Sequence, residues 1–112
     1  MTDWNAYRAH LGQSVTAFAT LAPDTMKGIQ TLDHAAARTG RLDAKTRELI
    51  ALAVAVTTRC DGCISVHSEA AVKAGATKEE IAEALGVAVA LNAGAALVYS
   101  SRVLDAVDTV KT

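Results

Sequence analysis

From Ala84 to Val98 the chain is apolar nearly all round, broken only by Asn92 and by glycines at 86 and 94. A segment with no polar face has to be buried at the centre of a fold or against a second molecule. That requirement dominates what a chain of 112 residues can become. It is the length of one domain, taken as residues 1–112, and it buries about two-thirds of its unfolded surface. Hydrophobic residues make up 51% and aromatics only 4%, so Ala, Val and Leu must fill the interior. Small side chains bury little area each, and the surplus predicts an oligomer. The stretch from Ala84 to Tyr99 falls short of the ~20 residues that cross a bilayer, and Leu49–Val56 is shorter still. The N-terminal residues Met-Thr-Asp-Trp lack the basic start and apolar run of a secretory signal. The expectation is a cytoplasmic protein with no membrane partner. A net charge of −1 and the absence of any basic run argue against nucleic acid.

The rest of the pattern is helical. Asp3 can cap a helix towards Leu21, with Tyr7, Leu11, Val15 and Phe18 on one stripe. Pro23, the only proline, suits the first turn of a second helix carrying Met26, Ile29, Leu32 and Ala36, which stops near Gly40. Asp43 caps a third helix in which Leu49–Val56 should be buried. A fourth begins at the cysteines and ends at Gly75. Thr77 and Glu80 form a capping box for a fifth. The apolar block follows, with a break predicted at Gly94 before a last helix carrying Val103, Leu104 and Val107. No segment alternates as a strand, so the fold class is all-α.

Chemistry concentrates in Cys60-Asp61-Gly62-Cys63-Ile64-Ser65-Val66-His67, with Glu48 twelve residues earlier. At the first turn of a helix, Cys60 and Cys63 share a face, as a reversible disulfide requires. Cys63 and His67, four apart, are neighbours on it. A helix N-terminus stabilises a thiolate, the reactive form of cysteine. His67 can accept or return the thiol proton, and on these grounds Cys63 is expected to be the more acidic thiol. If the two helices pair antiparallel, Glu48 stands about 15 Å back and His67 about 10 Å along the return, within a side chain or one water of each other. A carboxylate there would orient the imidazole.

Duller explanations exist for each residue. Single cysteines are often small core residues. Glu48 alone could pair on the surface with Lys45 or Arg47. Two Cys, one His and one Glu total four zinc ligands, but Glu is uncommon in structural sites and no second ligand pair exists. No metal or other cofactor is therefore expected. His10 and His34 have no partner spacing. Trp4 anchors the first helix, and Asn92 is a buried hydrogen-bonding residue or a helix–helix contact.

Glu-x11-Cys-x2-Cys-x3-His resembles the signature of AhpD-like alkylhydroperoxidases in the carboxymuconolactone decarboxylase superfamily. The flanks, Leu49-Ile50-Ala51-Leu52-Ala53-Val54 before, and Ser68 to Thr77 and Glu79 to Ala84 after, resemble it too, over a core of roughly residues 43–107. The resemblance implies an AhpD-like helical fold that assembles as a homo-trimer or homo-hexamer. It implies a peroxidase with Cys63 attacking through a sulfenic acid, Cys60 as proton donor and resolving thiol, and His67 and Glu48 as proton relay. Its partners would be a peroxide and a thiol or dithiol reductant. The archetype has a second histidine where Gly62 stands, and the decarboxylase branch lacks the cysteine pair. The alternative is a redox-sensing or binding oligomer whose cysteines switch without turning over.

Overall fold

The computed structural model describes residues 1–111 and contains five helices: α1 Trp4–Leu21, α2 Pro23–Thr39, α3 Ala44–Thr58, α4 Asp61–Lys73 and α5 Lys78–Asp108. Their boundaries follow from capping chemistry. Asp3 accepts from the Ala6 N–H at 3.0 Å and Asp43 from the Thr46 N–H at 2.8 Å. These bonds satisfy N–H groups that the helix itself leaves unpaired. Pro23 occupies the first turn of α2, and Gly40 ends it in the left-handed conformation at φ 70°. Thr77 and Glu80 form the reciprocal capping box of α5. Trp4 packs edge-on against Tyr7, with centroids 5.7 Å apart, at the start of α1.

The centre of the molecule is α3, which packs against both α4 and α5. Helix α1 lies on α4 and forms a hairpin with α2. Arg8 ties α1 down by donating from Nε to the Ser65 carbonyl at 2.9 Å. The buried residues are few and small: Leu52, Ala55, Ala71 and Ala88, with Ser65 donating to the Gly62 carbonyl at 2.8 Å.

Three expectations are corrected. The apolar block and the last helix are one continuous α5 of 31 residues. Gly94 does not break it, because a helical glycine keeps its N–H and carbonyl in the ladder and costs only about 1 kcal/mol. The full helix is long and apolar enough to cross a membrane by length and composition, which the shorter stretch was not. Second, Leu49–Val56 is not buried as a block. Only Leu52 and Ala55 are covered, while Ile50 and Val54 are half exposed. Third, the apolar stripes of α1 and α2 lie open at Phe18, Ile29 and Leu32. The periodicity had identified faces that bury something, but a single copy of the chain has nothing to put on them.

The candidate functional site

The turn between α3 and α4 builds the site. Arg59 ends α3 in the left-handed region at φ 55°, and the Cys60 N–H closes the turn onto the Ala55 carbonyl at 3.0 Å. An L-residue there is strained by about 1–2 kcal/mol, and the conformation reverses the chain so that α4 returns along α3. Cys60 is the N-cap of α4: its Sγ accepts the Cys63 N–H at 3.1 Å. Both cysteines are free thiols and partly exposed.

Across the same helix pair, His67 Nδ1–H donates to Glu48 Oε2 at 2.6 Å. The two helices therefore deliver the carboxylate directly to the imidazole, with no bridging water. An ionised carboxylate can only accept, so Nδ1 carries the proton and Nε2 of the neutral ring is left as an acceptor. The competing surface pairings of Glu48 are not made: Lys45 bonds instead to Glu80 on α5 at 2.7 Å, and Arg47 donates to the Leu42 carbonyl. Of the four residues singled out in the sequence, Cys60 meets Cys63 at the α3–α4 turn and Glu48 meets His67 further along the same two helices.

The order of thiol acidity is the reverse of that expected. The Cys60 thiol is held below its ordinary value by a hydrogen bond from the Cys63 side chain and by the backbone N–H groups of Cys63 and Gly62. The Cys63 thiol is pushed up by its bond to Cys60, by burial, by the Cys60 charge and, least, by Asp33. The reason is the helix start. With α4 beginning at Asp61, the capping sulfur is Cys60, and Cys63 is one turn inside.

Residues that no motif marked complete the surroundings. Asp33 and Ala36 of α2, with Leu42, Arg47, Ile50 and Ala51, enclose a cavity of about 290 Å³ around Glu48 and His67. Asp33 flanks the apolar stripe of α2, and a charge bordering such a stripe is the only sequence signal that could have found it. Gly62 faces α1. A Cβ there would stand 3.3 Å from Leu11 Cδ2, so α1 occupies the space that a side chain at this position would need. A second trough of about 360 Å³ runs between α3 and α5, lined by Ile50, Val54, Val87 and Leu91. There Asn92 Nδ2 donates to Thr57 Oγ1 at 2.9 Å, making the anticipated helix–helix contact. His34 bonds only to the Gln30 carbonyl of its own helix. Among the described residues, no three His, Cys, Asp or Glu side chains converge as a metal site would require.

Residues 23–106 match the model of the carboxymuconolactone decarboxylase family. The chain belongs to that family, in the helical class that its fold and its α3–α4 site define. An uncharacterised protein of Haemophilus influenzae is 54% identical over 110 residues, covering 98% of this chain and 97% of its own. Another, of Cupriavidus necator, is 31% identical over 109 residues, covering 97% and 96%. A carboxymuconolactone decarboxylase family protein of Legionella pneumophila, solved in its apo form, superposes with a TM-score of 0.74 at 40% identity and covers 92% of each chain.

Proposed function

We propose that the protein is a thiol peroxidase that reduces organic hydroperoxides through the Cys60–Cys63 pair. The observation that carries this reading is the 2.6 Å His67–Glu48 bond made from the same helix, α4, whose first turn holds the Cys60–Cys63 pair. A structural cysteine pair has no use for an oriented base; a thiol that must lose and regain protons does.

In the reduced protein Cys60 is the more readily ionised thiol of the pair, because the Cys63 side chain and the backbone N–H groups at the start of α4 favour its thiolate. His67, one turn along α4 from Cys63, lines the cavity with Glu48 and Asp33. Transfer of the Cys63 proton to the Cys60 thiolate or to His67 Nε2 leaves Cys63 as thiolate. Because its thiol is the less acidic, this thiolate is the stronger nucleophile once formed. It attacks the distal peroxide oxygen, the O–O bond breaks, and the departing alkoxide takes a proton from Cys60 or His67 as the alcohol. Cys63 is then a sulfenic acid. Cys60 attacks that sulfur, water leaves, and the disulfide forms. The pair has supplied two electrons, and a dithiol reductant restores them. The cycle starts from the dithiol, the form a reducing, cytoplasmic setting maintains.

Assembly belongs to the same reading. A compact monomer of 11.6 kDa exposes about 5,800 Å², whereas one copy of this chain exposes 8719 Å². Its radius of gyration is 18.5 Å, against about 13 Å for a compact domain of this length. The excess of about 2,900 Å² matches the area that copies in a stable homo-oligomer bury, and a trimer or hexamer accommodates it.

The test is turnover of cumene hydroperoxide with dithiothreitol as reductant. Consumption of many equivalents per chain, with an intramolecular disulfide detected by the loss of two hydrogens in one peptide, supports the peroxidase. Oxidation that stops at one equivalent assigns the pair to redox sensing instead.

A further inference from the structure

The cavity around His67 does not end at Arg47. A second cavity of about 250 Å³ adjoins it, lined by Ala36, Thr39, Arg41, Leu42 and Arg47, and it shares Ala36, Leu42 and Arg47 with the first. The walls common to both are thus one small residue, one leucine and one guanidinium. Along α2 the groove passes from Asp33 to Thr39, a rise of about 9 Å.

Charge is unevenly distributed along it. Asp33 and Glu48 stand at one end, with His67. Arg41 stands at the far end, and Arg47 on the wall between the two. Arg47 Nη1 donates to the Leu42 carbonyl, which pins the guanidinium to the wall and leaves its other N–H groups available. Asp43 is close enough to feel Arg47, but its carboxylate is committed to the Thr46 N–H as the cap of α3. Arg41 makes no ion pair among the described residues. Two arginines against one occupied carboxylate leave that part of the groove positive. Apart from Arg47, the surface between the ends is apolar, at Ala36, Leu42, Ile50 and Ala51.

We propose that this groove binds an amphipathic monocarboxylate, with its carboxylate on Arg41 and Arg47 and its apolar chain along Ala36, Leu42 and Ile50. Asp33 and Glu48 repel a carboxylate from the His67 end, so the ligand enters in one orientation, with its far end towards His67 and, one turn back along α4, the helix start that carries Cys63. A paired guanidinium fork suits a carboxylate better than a neutral oxygen. Resting on the peroxidase reading, the substrate class becomes hydroperoxides of fatty-acid type rather than small alkyl hydroperoxides. The binding itself does not depend on that reading.

Decanoate and decan-1-ol are the probes, titrated calorimetrically into the reduced protein. Decanoate should bind at least about tenfold more tightly than the alcohol, the value of one charge-assisted contact. It should also slow the alkylation of Cys63 by N-ethylmaleimide. Arg41→Gln should remove the preference for the acid while the alcohol still binds. Equal binding of acid and alcohol, an unchanged preference in Arg41→Gln, or unprotected Cys63 overturns the proposal. Arginine-dependent binding without hydroperoxide turnover leaves the groove standing and removes the peroxidase. Turnover of cumene hydroperoxide without decanoate binding does the reverse.

Discussion

His67 and Glu48 come from different helices and nineteen positions apart in the chain, yet their side chains meet at 2.6 Å with both groups only partly exposed. That bond decides which imidazole nitrogen is free. With Nδ1–H on the carboxylate, Nε2 is the free nitrogen, and the proposed relay requires it to serve Cys63, four residues back along α4.

Removing the base should therefore cost more than removing what orients it. His67→Ala is expected to lower kcat/KM for cumene hydroperoxide about a hundredfold, the lower end of what a positioned acid–base group contributes. Glu48→Gln keeps a neutral partner in place and should lose about tenfold. Steady-state kinetics of the two variants checks the order. Equal losses would mean that the bond serves the packing of α3 on α4, and a matching fall in Tm would show it.

Thiol acidity and nucleophilic role separate in this site, and they can be measured apart. Alkylation followed against pH should show a first step below the ordinary thiol value of 9.0, assigned to Cys60 by peptide mass. Cys63 should react in a second step above that value. Cys60→Ser removes the charge and the bond that raise Cys63, so the Cys63 step should move down. Treatment with one equivalent of peroxide and dimedone should nevertheless label Cys63 in the Cys60→Ser protein, and label far less in Cys63→Ser. Labelling confined to Cys60 would exchange the two roles.

The caps and the motif were readable before any coordinates, because each rests on chemistry within four residues. Asp3, Pro23, Gly40, Asp43 and the Thr77–Glu80 pair sit where their side chains predict. The Glu48 offset was readable as well, since two antiparallel helices of known rise leave little freedom. What escaped depends on finer or longer distances. Which sulfur caps α4 turns on one residue of helix start, and periodicity does not resolve boundaries that finely. Burial of Ile50, Val54 and Leu32 was inferred from pattern, but a pattern says that a face seeks cover without saying where the cover comes from. Asp33 reaches the site through the packing of α2, a tertiary relation that a charge bordering an apolar stripe hints at without specifying.

Gly62 packs closely against α1, so a side chain there requires Leu11 to give way. Leu11 lies 3.3 Å from where a Cβ would be. Gly62→His should destabilise the fold by about 1–3 kcal/mol through overpacking. Leu11→Ala opens that space, so the double variant should recover part of the loss and show coupling in a double-mutant cycle. Chemical denaturation of the four proteins measures it. Strictly additive losses would mean that the strain lies elsewhere.

The Lys45–Glu80 pair joins α3 to the capping box of α5 and should make that junction pH-dependent at both extremes. Glu80 is held below its ordinary 4.5 by Lys45 and by the Thr77 N–H. Its contribution is complete above 4.5 and disappears as pH falls through the lowered value. Lys45 is raised above 10.5 by Glu80, so its contribution is complete below 10.5 and disappears as pH climbs through the raised value. Glu80→Gln should flatten both limbs of a Tm-against-pH curve. Both groups face solvent, so the flattening should shrink in high salt. A curve that keeps its acid limb in Glu80→Gln would assign that limb to other carboxylates.

The exposed face of α5 gives the prediction with the widest consequences. Leu91, Leu97 and Val98 are 66%, 76% and 73% exposed in one copy of the chain. Apolar surface on that scale is not left in water by a stable protein. Light scattering should therefore return a species several times 11.6 kDa, and a stable monomer at micromolar concentration would sink the assembly. Leu91→Glu isolates the cause. Because Leu91 is mostly exposed within its own chain, a charge there leaves the packing of α3 on α5 nearly intact, and a change in behaviour must come from whatever covers the helix. The variant should shift the mass distribution towards the monomer while keeping its helical circular dichroism. Loss of helicity together with dissociation would mean that the chain folds only in company, as obligate oligomers do. An unchanged mass would move the interface off this stretch of α5. If the wild type instead partitions into lipid vesicles, the cover for α5 is a bilayer, and its 31 residues are long enough to make that outcome worth measuring alongside the mass.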